Sequence, residues 1–405
     1  MTLFRIGFLP LVDASLPIVA HAYGLAAREG VTIELHRDRT WAAVRDRLSY
    51  GQTDAAHMIA PLAIATALGL SAPPVPLGAP FILGLNGNTI TVSRAVASAM
   101  NAGLGDPAAT VGRELARLAK ARAAAGRKLR LGVVHRYSSH NYMMRYWLAA
   151  CGCDPDEDVE IVVVPPPSVL DAFLAEEIDG SCVGEPWNSL AVEREAAVIV
   201  ATTRQIWSRG VEKLLAFRNT VLEERRDEVE ALLRALYAAG SAVIDPAQRE
   251  DIAALLARPE YVGLPAELIA RALSGKLVPT AGAEPKPVTD FLVVHREAAN
   301  FPWRSQAMWL YSQMARWGQA PGDEDGFASA AAVFRPDIYR TAFVGTGAVL
   351  PGASAKVEGA IDAPLAAGSH AGRLMMGPDR FFDGRRFDPD RPMEYLAEDL
   401  RNREG

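Results

Sequence analysis

Short apolar runs alternate with helical patterns along the first ninety residues of the chain. The pattern predicts strands over Arg5 to Leu9, Val31 to Leu35, Ala55 to Met58 and Phe81 to Leu83, with helices between them over Pro17 to Arg28, Trp41 to Tyr50 and Pro61 to Leu68. Such alternation is typical of an α/β protein with a parallel, doubly wound sheet. Ligands bind at the carboxyl ends of strands in sheets of this class, and Trp41 and His57 are both predicted to lie there.

The same pattern returns in the second part of the chain. It predicts strands over Leu129 to Val134, Val159 to Val164 and Gly180 to Val183, separated by helices over His140 to Ala150 and Ser168 to Glu176. Gly7 and Asp54 stand as far apart as Gly132 and Asp179, which favours an internal repeat over a chance similarity of two βαβ units. We therefore expect two equivalent lobes whose strand ends face each other across a cleft.

The chain is expected to return to the first lobe after this repeat. Apolar runs over Val198 to Ala201 and Leu214 to Phe217 are predicted to carry it there, and the pattern is mostly helical afterwards. The predicted division is a first lobe of residues 1–90 and 214–405 and a second lobe of residues 91–213. The tail after Pro351 is rich in Gly, Ala and Pro, and we expect it to wrap the first lobe as an extended strap.

The composition is that of an acidic protein with a large core. Half of the 405 residues are hydrophobic, and the net charge of −6 argues against a nucleic-acid surface, which would be basic. No window approaches the roughly 20 apolar residues of a membrane span. The start at Met1 runs directly into a predicted strand without a signal-peptide pattern, so we expect a cytoplasmic protein. Cys151, Cys153 and Cys182 have poor spacing for a disulfide or a zinc site, which fits reduced thiols.

Signals for catalysis are weak in this sequence. It contains no nucleophile elbow, zinc-protease helix, phosphate-binding loop or dinucleotide fingerprint. Ser139 and His140 are adjacent at a helix start, where they rarely face each other as a nucleophile and its base would. We therefore predict that the chain is not an enzyme and that it carries no catalytic residues, no cofactor and no metal.

Polar donors gather at the predicted strand ends, which favours a binding function. Trp41 offers an indole N–H, Asn88 an amide at the crossing between lobes, His140 an imidazole and Lys213 an ammonium. Helix N-termini near Trp41 and His140 add backbone donors and partial positive charge. A core tryptophan, a helix cap and an exposed lysine are the alternative interpretations of the single residues. Together the donors predict a site for a small anion.

Several motifs together resemble one protein family. They are Thr40 to Arg47, Gly51 to Pro61 with its Ala-His-Met, Asn86-Gly87-Asn88, Ser139-His140-Asn141, Cys182 to Asn188 and Phe382 to Pro389. This set is similar to the nitrate and bicarbonate solute-binding proteins of ABC transporters, over nearly the whole chain. The resemblance implies a bilobal, periplasmic-binding-protein-like α/β fold of type II, with a ligand cleft between two doubly wound lobes.

The resemblance also implies a set of ligand-binding residues: Trp41, Asn88, His140, Gly184 and Lys213. Asn88 stands where the family has glutamine, so its shorter amide reaches an anion only if the crossing shifts or a water intervenes. Bicarbonate-binding relatives lack the lysine and enlist a metal ion. Lys213 therefore favours nitrate or nitrite, because a buried monoanion needs a paired cation. His57 is expected to support the pocket from behind.

The absence of a signal favours the cytoplasmic nitrate sensors of the family, the NasS type. By resemblance, such a sensor sequesters an RNA-binding, NasT-like transcription antiterminator and releases it when nitrate or nitrite binds. The alternative function is the solute-binding component of a nitrate or bicarbonate ABC transporter. A remote alternative is a thiamine-pyrimidine-biosynthesis-like enzyme on the same fold, for which the three cysteines do not form the expected motif.

Overall fold

Two mixed β-sheets form the framework, and the computed structural model describes residues 1–70, 72–371 and 373–404. The strands are β1 (Thr2–Phe8), β2 (Val31–Arg37), β3 (Ala55–Ile59), β4 (Leu77–Asn86), β5 (Asn88–Ser93), β6 (Leu129–Val133), β7 (Val159–Val163), β8 (Gly180–Gly184), β9 (Ala197–Thr202), β10 (Val211–Arg218), β11 (Lys276–Leu277), β12 (Lys286–Pro287), β13 (Leu292–Val293), β14 (Leu350–Pro351), β15 (Leu365–Ala367), β16 (Ser369–Ala371) and β17 (Leu374–Met376).

Helices cover both sheets, and after β10 they alternate with loops and short strands. They are α1 (Ser15–Ala22), α2 (Leu25–Arg28), α3 (Trp41–Ser49), α4 (Ala60–Ala67), α5 (Arg94–Ser98), α6 (Ala108–Ala124), α7 (Ser139–Ala150), α8 (Val169–Leu174), α9 (Trp187–Glu193), α10 (Thr203–Ile206), α11 (Asn219–Glu224), α12 (Arg226–Ile244), α13 (Arg249–Leu256), α14 (Ala266–Ser274), α15 (Arg304–Arg316), α16 (Glu324–Val333), α17 (Pro336–Phe343) and α18 (Pro392–Glu404), with short 3-10 turns at Val12–Ala14, Pro166–Ser168 and Pro246–Gln248.

The first sheet has the strand order β13-β4-β10-β3-β1-β2. Strand β1 is parallel to β2 and β3, whereas β10 is antiparallel to both of its neighbours, β3 and β4. The predicted parallel sheet is therefore wrong in one respect, because the returning strand β10 inserts in the opposite direction. This insertion places Lys213, near the start of β10, opposite Ile59 at the end of β3.

The second sheet has the order β7-β6-β8-β5-β9. Strand β6 is parallel to β7 and β8, and β5 runs antiparallel between β8 and β9. Asn88 is the first residue of β5, and it pairs with Gly184, the last residue of β8. Both residues therefore lie at the edge of the sheet where β8 ends.

Equivalent hydrogen bonds made by Asp54 and Asp179 confirm the predicted internal repeat. Asp54 accepts a hydrogen bond from the Arg5 backbone N–H at 2.8 Å, and its own N–H donates to the Arg5 carbonyl at 2.8 Å. Asp179 makes the same two contacts with Arg130, at 2.9 and 2.7 Å. Each aspartate thus fixes the start of the third strand of its repeat against the first.

The chain crosses between the sheets at two neighbouring places. Gly87 has a φ of 87°, a left-handed conformation that glycine adopts without strain, and it separates β4 from β5. The return runs between β9 and β10, where the Asn86 side chain donates to the Ser208 carbonyl at 2.9 Å. The chain passes from the first sheet to the second near residue 87 and returns over residues 203–210. Both crossings lie a few residues from the predicted boundaries at 90/91 and 213/214. The division into lobes remains a prediction.

The C-terminal strap contacts more of the protein than predicted. Phe381 stacks on Trp207 at 4.9 Å between ring centroids, and Trp207 Nε1 donates to Asp379 at 2.8 Å. The Tyr146 hydroxyl, which lies on α7 of the second sheet's layer, donates to Asp383 at 2.8 Å. The aromatic and acidic side chains of the strap therefore find partners at the crossings and on α7, and its assignment to the first lobe remains a prediction.

The structure also bears on two expectations from the sequence, the lack of a membrane span and the reduced state of the cysteines. Among the described residues, no helix is long and apolar enough to cross a membrane. Cys151, Cys153 and Cys182 are free thiols, as their spacing predicted.

Replacing Asp179 with alanine is expected to lower the free energy of unfolding by about 1–3 kcal/mol, because it removes a charge-assisted hydrogen bond from a partly buried backbone N–H. Denaturant unfolding measures this change. Glu177→Ala, at an exposed neighbouring position, is the matched control. A change as small as the control's would contradict the role assigned to the repeated aspartate.

Candidate anion-binding site

The N-terminal ends of two helices, α3 and α7, supply two side chains of the site. Trp41 is the first residue of α3, and Thr40 caps that helix by accepting from the Ala43 N–H at 3.1 Å. His140 lies in the first turn of α7, which Ser138 caps in the same way at 3.0 Å. Both side chains are at most 1% exposed.

Asn88 and Gly184 meet His140 on the second sheet. His140 Nε2 lies 3.1 Å from Asn88 Oδ1. At Gly184, a Cβ atom would stand 3.1 Å from Leu11 Cδ2 and 3.4 Å from Asn88 Oδ1. The missing side chain therefore lets the loop after β1 approach the end of β8 closely.

Lys213 occupies the centre of the site, and it is completely buried. Its Nζ lies 3.0 Å from Asp13 Oδ2, 2.6 Å from Glu212 Oε1 and 5.4 Å from the centroid of the Trp41 ring. The sequence predicted this ammonium as the partner of the anion. In the structure it already has two carboxylate partners.

A β-bulge brings Glu212 to the same cluster as its neighbour Lys213. Val211 pairs with Leu85 and Lys213 with Gly84, so Glu212 is an extra residue in the pairing of β10 with β4. Successive side chains of a regular strand would point to opposite faces. The irregular pairing explains why both charged groups reach the site.

The charges of this cluster stabilise one another. Burial alone would raise the pKa of Asp13, but the Lys213 ammonium and the hydrogen bond with His57 hold that pKa well below its usual range. Burial likewise opposes ionisation of Glu212, whose pKa is nevertheless lowered by the charge and the hydrogen bond of Lys213. The two carboxylates together raise the pKa of Lys213 against the effect of its burial. All three groups are therefore ionised at neutral pH.

Two histidines complete the cluster in the neutral form. His57 Nε2 lies 2.9 Å from Asp13 Oδ1, and its ring is 5.3 Å from that of Trp41. His57 thus lies beside two residues of the cluster, and its support of an anion pocket remains a prediction. Burial lowers the pKa of His57, and it lowers the pKa of His140 to about 4. His140 Nε2 is also 3.4 Å from Glu212 Oε1, which connects the two sheets through one carboxylate.

Two buried N–H donors in the site have no hydrogen-bond partner among the described residues. They are the Trp41 indole Nε1 and the Asn88 amide Nδ2. An unsatisfied buried donor costs about 1–3 kcal/mol, so such groups usually indicate a bound water, ion or ligand. A ligand that satisfies both must accept hydrogen bonds, as an oxyanion does.

The five residues predicted for the site form one connected group. Trp41 contacts Lys213, Glu212 links Lys213 to His140, and His140 bonds to Asn88 beside Gly184. Whether these residues bind a ligand remains a prediction. Asp13 and Glu212 were not predicted from the sequence as members of the site. Asp13 follows the carboxyl end of β1, a position that strand-end reasoning identifies, whereas Glu212 depends on the bulge.

Two α/β sheets joined by two crossings, with a buried polar site between them, define a bilobal binding protein. The crystal structure of the periplasmic nitrate-binding protein NrtA from Synechocystis matches with a TM-score of 0.85 and 25% identity, over 98% of each chain. The alkanesulfonate-binding protein SsuA from Xanthomonas axonopodis shares the fold, with a TM-score of 0.54 and 17% identity over 77% of this chain and 93% of that chain. The predicted periplasmic-binding-protein-like fold is confirmed.

The family follows from the sequence itself. The model of the NMT1-like family matches residues 2–257, and the chain belongs to this family. The nitrate/nitrite binding protein NrtA of Nostoc sp. is 28% identical over 97% of this chain and 84% of its own length. The nitrate import ATP-binding protein NrtC of Synechococcus elongatus is 32% identical over 97% of this chain and 55% of its own length. The chain spans about half the length of such ATP-binding relatives. Similarity to binding proteins confirms the prediction that the chain is not an enzyme.

Stability without ligand is expected to fall as the pH is lowered from about 6.5 to about 4. The unfolded chain binds a proton at His140 near pH 6.5, whereas the folded chain resists protonation until about pH 4, which corresponds to about 3 kcal/mol. Denaturant unfolding in nitrate-free buffer measures this loss.

His140→Asn is expected to reduce that loss by about the same 3 kcal/mol. His21→Asn, on the exposed face of α1, serves as the matched control. An unchanged pH dependence in His140→Asn would contradict the assignment of a buried neutral imidazole.

Proposed function

We propose that this chain is a solute-binding protein for nitrate or nitrite. The observation that carries the proposal is the pair of buried, unpartnered donors, Trp41 Nε1 and Asn88 Nδ2, inside the site between the sheets. The names of the relatives support nitrate as the anion, because they describe nitrate/nitrite binding and nitrate import proteins. Trp41, Asn88, His140, Gly184 and Lys213 are the proposed ligand-binding residues.

The chemistry of the site suits a small planar monoanion. Nitrate and nitrite carry one charge and accept hydrogen bonds through their oxygens, but they donate none. Their oxygens can therefore accept hydrogen bonds from the Trp41 and Asn88 donors. Trp41 also offers a flat ring face to a flat ion. No group of three or more potential metal ligands is present in the described part of the chain, so the bicarbonate-plus-metal arrangement receives no support.

The relatives favour a role as the capture component of a nitrate ABC transporter. NrtA of Nostoc sp. is matched over 84% of its length, and the NrtA crystal structure over 98%. In this role the two lobes close on the anion and present it to a membrane permease. A lobe motion about the two crossings, near Gly87 and between β9 and β10, provides the opening and closing.

A cytoplasmic sensor that holds a NasT-like antiterminator is the second candidate role. It rests on the resemblance of the sequence motifs, and the acidic net charge of −6 suits a basic RNA-binding partner. The mechanism is a population shift in which the anion binds the closed form better and the partner binds a different form. A near-complete release of the partner requires a differential affinity of roughly 10⁴, or ~5.5 kcal/mol.

Trp41→Phe is expected to weaken nitrate binding by roughly 10- to 100-fold, because the change removes one hydrogen bond to a charged ligand and keeps the ring. Isothermal titration calorimetry with nitrate, nitrite, bicarbonate and chloride measures the affinities. Trp303→Phe, at a buried tryptophan that packs on Phe301, is the matched control. Equal nitrate affinity in Trp41→Phe and the control, or tightest binding of bicarbonate, would contradict the proposal.

The two roles differ in their response to a purified NasT-like antiterminator. Size-exclusion chromatography of the mixture, with and without nitrate, separates them. A complex that forms without nitrate and dissociates with it supports the sensor. The transporter role is supported instead if no complex forms under either condition and the nitrate-loaded chain stimulates ATP hydrolysis by a reconstituted nitrate importer.

A further inference from the structure

The buried cluster carries the wrong net charge for an anion site. Asp13 and Glu212 contribute two negative charges, Lys213 contributes one positive charge, and both histidines are neutral, so the net charge is −1. An incoming nitrate ion would make it −2 in a volume from which water is excluded. Uncompensated charge of this kind is very costly at low dielectric constant.

The hydrogen-bonding pattern of His140 leads to the same difficulty. Its Nε2 lies beside two acceptors, Asn88 Oδ1 and the ionised Glu212 carboxylate, so Nε2 carries the hydrogen of the neutral ring. Nδ1 then bears a lone pair, and it is buried without a partner among the described residues. A lone pair repels an anion. A second proton on the ring would turn Nδ1 into a donor.

We propose that the site takes up one proton with each anion, and that Glu212 is the specificity-determining residue that imposes this requirement. The inference rests on the anion binding proposed above. The proton is held on His140, between the Glu212 carboxylate and the anion. The proton leaves the solvent and no bond in the anion changes, so the cluster keeps its net charge of −1 after binding.

His140 is the proposed acceptor of this proton because its ring contacts both Glu212 and Asn88. The Asp13 carboxylate already bonds to His57 and Lys213, and Lys213 is already protonated. His57 contacts Asp13 through Nε2 and packs 5.3 Å from the Trp41 ring, whereas His140 contacts Asn88 directly. The titratable and charged groups that face the cluster come from the loop after β1 and from β3, α7, β8 and β10: Asp13, His57, His140, Cys182, Glu212 and Lys213.

This arrangement also selects for the charge of the ligand. One proton compensates one negative charge, so a monoanion binds with no change in the charge of the cluster. A dianion such as sulfate would need two protons, and Glu212 and His140 provide a place for one. The site therefore discriminates against dianions through its buried carboxylates as well as through its size.

The test is isothermal titration calorimetry of the full chain with nitrate at pH values of about 6, 7 and 8, each in two buffers of different ionisation enthalpy. We expect uptake of about one proton per nitrate and a dissociation constant that rises about tenfold per pH unit. The sign follows because the free site resists protonation, whereas the bound anion favours it.

Glu212→Gln is expected to bind nitrate with little proton uptake and with a dissociation constant that changes less than about twofold over the same range. Its neutral side chain removes the excess negative charge. Without the carboxylate, the hydrogen of the neutral His140 ring is no longer held on Nε2. Glu185→Gln is the matched control, because Glu185 is a buried glutamate that bonds to Thr89 and Ser189. We expect it to keep the pH dependence of the wild type.

The outcomes separate this inference from the proposed function. Nitrate binding without proton uptake in the wild type, or an unchanged pH dependence in Glu212→Gln, overturns the inference and leaves the proposed function intact. No nitrate binding at any pH overturns both. If Glu212→Gln does not fold, the number of protons that the wild type takes up per bound nitrate decides the inference.

Discussion

The ammonium of Lys213, held between Asp13 and Glu212, is the interaction on which the site depends. Removing three charges from water costs several kcal/mol for each ion, and only close, well-oriented partners compensate for that cost. The partners come from separate parts of the chain: Asp13 from the loop after β1, and Glu212 from the bulge at the start of β10. Both carboxylates therefore neutralise the same buried cation.

The same cluster joins the two halves of the protein. Glu212 on the first sheet approaches His140 on α7, which packs against the second sheet, and nearby hydrogen bonds reinforce this junction. The Val12 N–H donates to the Glu185 carbonyl at 2.9 Å, and Trp187 Nε1 donates to the Pro10 carbonyl at 2.9 Å. Because the site is buried, a ligand can enter only when these contacts separate. In the proposed function, ligand binding is therefore linked to the relative position of the lobes.

The sequence predicted the features that repeat locally and missed those that depend on distant pairing. Hydrophobic periodicity placed Trp41 and His140 at helix starts, and the spacing of Asp54 and Asp179 indicated a repeat that the hydrogen bonds confirm. The antiparallel insertion of β10 was missed, because the direction of a strand is set by its neighbours. Glu212 was missed because a bulge has no clear signal in one sequence. The reach of the strap to α7 depends on side chains more than 200 residues apart, such as Tyr146 and Asp383.

The central claim is that a small anion occupies the buried site between the sheets and satisfies its two unpartnered donors. A crystal structure of the chain grown with nitrate tests this claim most directly. We expect a planar ion with oxygens within hydrogen-bonding distance of Trp41 Nε1 and Asn88 Nδ2, beside His140 and Lys213. A nitrate ion bound elsewhere, with both donors still unpartnered, would contradict it.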